Sequence, residues 1–578
     1  MIDFSLICNV KILEIQDLSV SFKQGNLWQN AINGINFSVF EGEALGIVGE
    51  SGSGKSVTSL SIMKLLSSQA KYDSGKILWQ EHESQTVDLL KLSEDQIRHY
   101  RGRKIAMIFQ EPMSALNPLL KCGFQVKEAL VAHNMGRKSE LRSKVEYWFS
   151  KVGLEDVARV YDSYPHQLSG GQLQRVLIAI ALCCEPKVII ADEPTTALDV
   201  TIQKKILDLL EDIRKEMNLT LIFISHDLGV IKNLCDRVLV MQNGQIIESN
   251  TAENIFLDAK HPYTQGLINC KPPLNCKIRH LPIVQDFLEG SKKEKWFNDT
   301  MIISNQEQQR KLEDFDQSRS LLEVANLQVS YPIERNIFGK VTKSFDAVRD
   351  VSFKIRPGES LGLVGESGSG KSSIGLAILN LIQIAGGQVS YDGFAINNYS
   401  VQDWKPLRRE LQIIFQDPYS SLNPRKRIGD AIVEPMEVHK LYKNYKERKE
   451  AALELLLEVG LSEDHFDRYP HQFSGGQRQR ICIARSLGLK PKFIVFDESV
   501  SALDVSVQAQ VLNLLTSLKE KFKLSYLFIT HDFSVVNFIA DRIIVMKNGE
   551  IVEEGLPFQI LNYPSTEYTR NLINAIPR

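Results

Sequence analysis

At 578 residues and 65.4 kDa the chain is too long for one hydrophobic core; at about 150 residues per domain it holds roughly four structural units, or two large ones. Its 68 Lys and Arg against 70 Asp and Glu leave a net charge of −2, which offers neither a basic field for nucleic acid nor an acidic tail. With 43% apolar and 24% charged residues the composition is that of an ordinary globular protein, and disorder is excluded for most of the length.

Met1 to Val10 carries Asp3 and no Lys or Arg ahead of its short apolar stretch, so no secretory signal is expected. The β-branched runs Leu13 to Phe22, Ile35 to Val39 and Ala44 to Val48 predict strands, the last leading into a glycine loop that opens a helix. A long polar and helical section follows. It ends in the longest unbroken apolar run, nine residues from Val176 to Cys184, well short of the about 20 that a membrane-spanning helix needs. Cys183 and Cys184 lie inside that run and read as buried thiols, and eight cysteines in the whole chain suit a reduced, cytosolic protein. Strands return at Val188 to Ala191 and Thr220 to Ser225, and a hairpin turning at Asn243-Gly244 joins Arg237 to Met241 with Gln245 to Glu248.

Much of this pattern then repeats. Gly42 to Leu66 returns as Gly358 to Ile382, displaced by 316 residues, and Tyr164 to Leu182 as Tyr469 to Leu487, displaced by 305. The difference of eleven places extra residues in the first half, mostly around His82 to Leu92. A period of about 300 residues is a whole domain, not a solenoid repeat of about 20–50. The expected division is 1–270, a linker at 271–320, and 321–578. The linker carries Pro272, Pro273 and a mixed-charge stretch, with one short helix expected near Gln306 to Asp314. Fully extended, at about 3.4 Å per residue, it would span more than about 100 Å. Strands alternating with helices in each copy imply an α/β domain with a largely parallel core sheet.

The glycine loop, Gly49-Glu50-Ser51-Gly52-Ser53-Gly54-Lys55-Ser56, fits the phosphate-binding pattern between a strand and a helix. Glycines let backbone N–H groups wrap the phosphates, the lysine reaches the β and γ oxygens, and the serine hydroxyl binds Mg²⁺. A chance glycine-rich turn does not recur; here Gly365, Ser367, Gly368, Gly370, Lys371 and Ser372 repeat the loop. Val188 to Glu193 is an apolar strand ending in two carboxylates, and Phe493 to Glu498 is its counterpart. Buried negative charge at a strand tip calls for a cation. Asp192 and Asp497 are placed to hold Mg²⁺ through water, Glu193 and Glu498 to polarise an attacking water.

His226 and His531 each follow an apolar strand and lie at the same distance after the acidic pair, which suits a contact to the γ-phosphate, although a lone histidine is usually structural. Gln110 and Gln416 each end an Ile-Phe-Gln strand and can reach metal or water; plain hydrogen bonding is the simpler reading. Ser169, Gly171 and Gln172, and again Ser474, Gly476 and Gln477, sit where a helix begins, a position that favours an anion. Each half already has one phosphate loop, so this second anion site would serve the nucleotide of the other half. Plain N-capping by Ser169 and Ser474 is compatible with both readings.

Phosphate loop, Ile-Phe-Gln, Ser-Gly-Gly-Gln, Asp-Glu, Ala-Leu-Asp-Val and the histidine motif, in this order and twice, resemble the ATPase subunits of ABC transporters. The resemblance covers most of both halves. It implies an α/β fold of two tandem ABC-type P-loop ATPase domains, each with a RecA-like core sheet, an antiparallel β subdomain and a helical subdomain. It also implies two ATP molecules, with Mg²⁺, shared head to tail. One site would combine Lys55, Ser56, Gln110, Asp192, Glu193 and His226 with Ser474, Gly476 and Gln477. The other would combine Lys371, Ser372, Gln416, Asp497, Glu498 and His531 with Ser169, Gly171 and Gln172. Asp199 and Asp504 match the family's loop linking the sites, and Phe22 and Tyr331 fall where its adenine-stacking aromatic sits, though each also suits the core.

Finer features are similar to the oligopeptide and dipeptide importers: Glu111 to Pro118 and Asp417 to Pro424 after the glutamines, Tyr-Pro-His-Gln before each Ser-Gly-Gly-Gln, and His261 to Ile268 closing the first half. The branch implies ATP hydrolysis coupled to peptide import, with two transmembrane permease subunits and a substrate-binding protein as partners, no nucleic acid, and peripheral attachment at the cytoplasmic face of the inner membrane. The alternative is a soluble tandem ATPase acting on ribosomes, which typically carries a longer charged helical pair between its halves. Two departures stand out. Ser499 replaces the proline that follows the catalytic glutamate in the first half, Pro194, and bears on the rigidity of that loop. Cys270 and Cys276 are too few for the iron–sulfur cluster some relatives carry, so none is expected.

Overall fold

The structure, a computed structural model, describes residues 10–577 apart from 26, 83–84, 196–197, 292, 337, 339–340 and 502. The N-terminal stretch read above against a secretory signal therefore lies, except for Val10, outside the described residues. The chain divides into two units, one running to Ile268 and including Pro577, the other spanning Asn269–Ile576.

In the first unit Ala44–Val48, Val188–Asp192 and Thr220–Ile224 are buried at every position. Near-continuous apolar strands of this kind form parallel sheets covered on both faces. They are the centre of a six-stranded sheet, in the order Gln245–Thr251, Arg237–Gln242, Ala44–Val48, Thr220–Ile224, Val188–Asp192 and Ile105–Ile108. Pairing is parallel except for the edge hairpin, which turns at Asn243-Gly244 with φ of 48° and 76°. A four-stranded antiparallel sheet stands beside it, ordered Leu27–Phe40, Lys11–Gln24, Ala70–His82 and Gln85–Asp88. Leu27–Phe40 runs longer than the expected Ile35 to Val39. Its exposed first residues, Leu27 to Asn30, extend the ladder without the apolar alternation that signals a strand. Helices Cys122–Ala132 and Leu141–Lys151 pack against Gly170–Leu182, the helix that opens at the Ser-Gly-Gly-Gln motif, and Val157–Asp162 packs against the first two.

The second unit repeats this plan. Its six-stranded sheet runs Phe493–Asp497, Ser525–Thr530, Ser360–Gly365 and Arg542–Lys547 through the middle, between Leu411–Ile414 and Glu550–Gly555. Its antiparallel sheet ends in the two-residue Phe394–Ala395, where the first unit has Gln85–Asp88 and a following turn at Leu89–Lys91; the extra residues of the first half lie here.

Residues 271–320, read above as a linker, hold the helix Asn305–Asp316 close to where it is expected, and also Val284–Leu288 and a short ladder between Lys277–Ile278 and Ile302–Ile303. The segment is fastened along the second unit. Asn513 Nδ2 donates to the Leu281 carbonyl and Asn513 Oδ1 accepts from the Leu281 N–H, both at 2.8 Å. Asn537 Nδ2 donates to the carbonyls of Pro273 at 2.8 Å and Cys276 at 2.9 Å. Ile278, Leu281, Val284, Phe287 and Trp296 are buried. We call this segment the strap. The first half carries Asp208 and Lys232 at the positions of Asn513 and Asn537. Among the described residues no helix is long and apolar enough to cross a membrane.

Candidate functional site

Each phosphate loop joins the end of a buried central strand to a helix, Lys55–Ile62 or Lys371–Ile378. Gly49 has φ of 153°, and a Cβ there would lie 2.2 Å from the Met241 carbonyl oxygen; Gly365, at 159°, would meet Met546 O at 2.3 Å. Only glycine fits. Gly54 and Gly370, with φ of 105° and 100°, sit at the helix starts, and Gly52 and Gly368 share the positive-φ conformation. Lys55 and Lys371 are buried beneath their loops. Lys55 Nζ donates to the carbonyls of Gly49 and Glu50, both at 2.8 Å, and Lys371 Nζ to those of Gly365 at 2.9 Å and Glu366 at 2.7 Å. An ammonium fixed among backbone dipoles is ready to meet phosphate oxygens.

Beside the loop, Ser56 Oγ donates to Asp192 Oδ1 at 3.2 Å, and Ser372 Oγ to Asp497 Oδ1 at 2.8 Å. Burial raises the pKa of both aspartates, and the neighbouring Glu193 and Glu498 charges push the same way. A hydroxyl and a desolvated carboxylate held together form an oxygen donor set that suits a hard cation such as Mg²⁺.

Glu193 and Glu498 both adopt φ of 47°, the left-handed region that costs an L-residue about 1–2 kcal/mol. Each is held there by its N–H, which donates at 2.9 Å to Ile224 O or Ile529 O of the adjoining strand. The proline-to-serine change at 194 and 499 leaves this conformation unaltered. Gln110 Nε2 donates to Glu193 Oε2 at 3.0 Å, and His226 Nδ1 lies 3.1 Å from the same oxygen. In the second unit Gln416 Nε2 donates to Glu498 Oε2 at 2.9 Å, with His531 Nδ1 3.6 Å from Oε1. Burial works to raise the Glu498 pKa, but His531 and the Lys371 ammonium outweigh it, and the carboxyl lies below its ordinary range. Burial likewise works against the His531 cation, and Glu498 and Asp532 overcome it, so its pKa lies above the usual one. Glutamine, histidine and glutamate, far apart in sequence, thus converge in each half.

Ser169 and Ser474 cap their helices in reciprocal boxes: Gln172 N–H donates to Ser169 Oγ at 3.4 Å and Ser169 N–H to Gln172 Oε1 at 3.1 Å, with the same two distances between Ser474 and Gln477. Gly171 and Gly476 are buried, and a Cβ on either would run into Ile202 or Val507 at 2.7 and 2.1 Å. Asp199 Oδ1 accepts from the Ile202 N–H and the Thr201 hydroxyl; residues 197 and 502, the first of each Ala-Leu-Asp-Val segment, lie outside the described residues. Ser51 and Ser367 are exposed on their loops. Phe22 is partly buried against the first unit's core. Tyr331, by contrast, is 37% exposed, with its hydroxyl 3.1 Å from Ser373 Oγ beside the phosphate loop.

Sequence reasoning missed one pair. The Glu50 N–H donates to the hydroxyl of buried Tyr263 at 3.1 Å, and the Glu366 N–H to that of Tyr568 at 3.3 Å. Each tyrosine braces a phosphate loop from the helix that closes its half, Pro262–Asn269 or Glu567–Asn574. The available signal was the Tyr-Thr pair shared by the two closing motifs at the 305-residue displacement.

With this geometry in view, the relatives fall into place. Residues 32–196 and 348–501 match the ABC transporter family, and residues 247–291 match the C-terminal region of oligopeptide/dipeptide transporters. The chain is 44% identical over 572 residues to the glutathione import ATP-binding protein GsiA of Escherichia coli (strain K12), covering 98% of this chain and 89% of that protein. The protein of the same name from Pectobacterium atrosepticum is 43% identical over 568 residues, with 98% and 90% covered. A solved dimeric ATP-binding cassette in a post-hydrolysis state, bound to ADP and Pi, is 30% identical and covers 42% of this chain and 99% of its own, at a TM-score of 0.38. The alternative of a ribosome-acting ATPase finds no support among these relatives, which are named for import.

Proposed function

The chain belongs to the ABC transporter family, in its tandem oligopeptide/dipeptide form, and on that premise we propose that it is the ATP-hydrolysing subunit of an importer of short peptides, glutathione among them. The observation that carries hydrolysis is the convergence, in both halves, of glutamine and histidine on one carboxylate, Glu193 or Glu498. The cargo reading rests on the relatives' names.

In this reading the loop N–H groups and Lys55 or Lys371 bind the β- and γ-phosphates of ATP. Ser56, Asp192 and Gln110, or Ser372, Asp497 and Gln416, would hold Mg²⁺, which would neutralise charge on the phosphates. Glu193 and Glu498 orient and polarise the attacking water, their aim fixed by a strained backbone rather than by a free rotamer. Gln110 and His226, or Gln416 and His531, hold the carboxylate in place, from where Gln110 or Gln416 would also serve the metal and His226 or His531 the γ-phosphate. The signature residues Ser474, Gly476 and Gln477 serve the nucleotide at Lys55, and Ser169, Gly171 and Gln172 the one at Lys371. Tyr331 stacks on adenine; Phe22 does so in the first half with part of its ring committed to the core. The work is delivered to two permease subunits that receive cargo from a substrate-binding protein, with the chain peripheral at the cytoplasmic face of the inner membrane.

The test is site by site. Glu193→Gln and Glu498→Gln should each lower ATP turnover while ATP binding persists, and the double variant should hydrolyse none. Turnover near the original level in both single variants would refute the assignment. Recovery with ribosomes and without a permease, from detergent-solubilised membranes, would overturn the import reading.

A further inference from the structure

Beneath the strap lies a cavity of about 220 Å³. Its walls come from the strap, from the helices Val505–Phe522 and Phe533–Ile539, and from Asp541. Three lysines line it. Lys519 Nζ is 2.7 Å from Asp541 Oδ2, Lys311 Nζ is 2.8 Å from Asp541 Oδ1, and Lys277 Nζ donates to the carbonyl of Ala540. Asp541 also accepts from the Ser360 N–H at 2.9 Å. One carboxylate therefore answers three ammonium groups. The other charges on the lining are Arg279, which is paired with Glu307 at 2.6 Å, and the exposed Glu520.

Two of these groups are poorly compensated. Lys277 is buried with a neutral carbonyl as its hydrogen-bond acceptor, and burial pushes its pKa down to about 8. Gln308 is 8% exposed; its Nε2 donates to Ile303 O at 3.3 Å, while its Oε1 is buried with no hydrogen-bond partner. A buried ammonium without its own counter-ion and a buried amide oxygen without a donor are both costly. The first unit has the equivalent of the Lys519–Asp541 pair in Arg214 and Asp236, 3.4 Å apart; the strap brings Lys277, Gln308 and Lys311 to the second.

We propose that this cavity is a binding site for a small carboxylate with an N–H donor beside it, the chemistry of an amino acid or short peptide. The carboxylate is taken by the Lys277, Lys311 and Lys519 ammonium groups and the donor by Gln308 Oε1. These requirements come from the lining, whatever the importer carries. The two helices in the wall begin just after Asp504 and Asp532; Asp532 follows His531 directly and Asp504 lies six positions after Glu498, both assigned above to the second ATP site. An occupant there bears on the elements that lead from that site.

The full chain, its phosphate loops filled with Mg²⁺ and a non-hydrolysable ATP analogue, is titrated calorimetrically with L-glutamate, glutathione, acetate and inorganic phosphate. L-Glutamate or glutathione is expected to bind saturably at one site, at least about tenfold more tightly than acetate or phosphate. Lys311→Ala, which changes an exposed lysine, and Gln308→Leu should each weaken that binding about tenfold or more, with melting temperatures confirming that both variants fold. The proposal is overturned if no probe binds saturably up to about 10 mM, or if Lys311→Ala binds as the original chain does. Phosphate binding as tightly as L-glutamate overturns the assigned ligand class.

Discussion

Replacing Asn513 by Ala would test whether the strap is part of the second unit or merely lies along it. Asn513 is 7% exposed and Leu281 fully buried, and the amide satisfies both backbone groups of Leu281 at 2.8 Å. Truncation leaves one N–H and one C=O buried without partners, at about 1–3 kcal/mol each. Allowing for some relaxation, local opening of the strap should become easier by about 2–5 kcal/mol, or about 30-fold to a few thousand-fold in its opening equilibrium. Hydrogen exchange with mass spectrometry on the full chain reads this directly. Peptides covering residues 277–288 should lose protection by that factor, while those from the first unit do not change. Asn537→Ala, which frees the carbonyls of Pro273 and Cys276, should deprotect the preceding residues less, because orphaned carbonyls are better tolerated than orphaned N–H groups. If exchange at 277–288 in Asn513→Ala stays within about threefold of the original, the strap is not held by these bonds and the reasoning fails.

Other consequences are as direct. Gly49→Ala places a Cβ 2.2 Å from Met241 O, so nucleotide affinity at the first site should fall by more than about tenfold in fluorescent-nucleotide titrations; a normal affinity would mean that the loop rearranges freely. Tyr263→Phe removes the acceptor for the Glu50 N–H and should raise KM for ATP about 2–10-fold with kcat little changed, as one lost neutral hydrogen bond predicts; an unchanged KM would exclude a bracing role. The raised His531 pKa means that its stabilisation is complete below the ordinary value of 6.5 and disappears as pH rises through the raised one. The lowered Glu498 pKa means that its share is complete above 4.5 and is lost as pH falls through the depressed value. The stability difference between the original chain and His531→Ala should therefore peak between these limits and shrink on either side, measured by denaturant unfolding across pH.

What could be read in advance followed from how local each signal is. The central strands announce themselves because all five residues of Ala44–Val48, Val188–Asp192 and Thr220–Ile224 are buried, and the hairpin because Asn243-Gly244 supplies the two positive φ angles its turn needs. Lysine, serine and aspartate could be assigned from motif spacing. That glutamine and histidine both reach the glutamate is a tertiary fact no spacing encodes. Tyr263 stayed hidden because a tyrosine in a closing helix ordinarily reads as core. The strap stayed hidden because Ile278, Leu281, Val284 and Phe287 recur every three residues, a period of neither strand nor helix, with Pro282 interrupting them. Its anchors are polar residues more than 200 positions away.

The strap also changes the arithmetic of tethering. If residues 271–320 were a free chain, the two ATPase halves would explore each other's neighbourhood as loosely joined partners, at an effective concentration set by a long flexible coil. With Pro273 already fixed to Asn537, and the helix Pro262–Asn269 closing the first unit, the joint between the two is only the few residues from Cys270 to Pro272. Its reach is about 15 Å rather than more than about 100 Å. A gene split that preserves activity should therefore fall within this joint, and one placed after residue 320 would sever the second ATPase from part of its own structure.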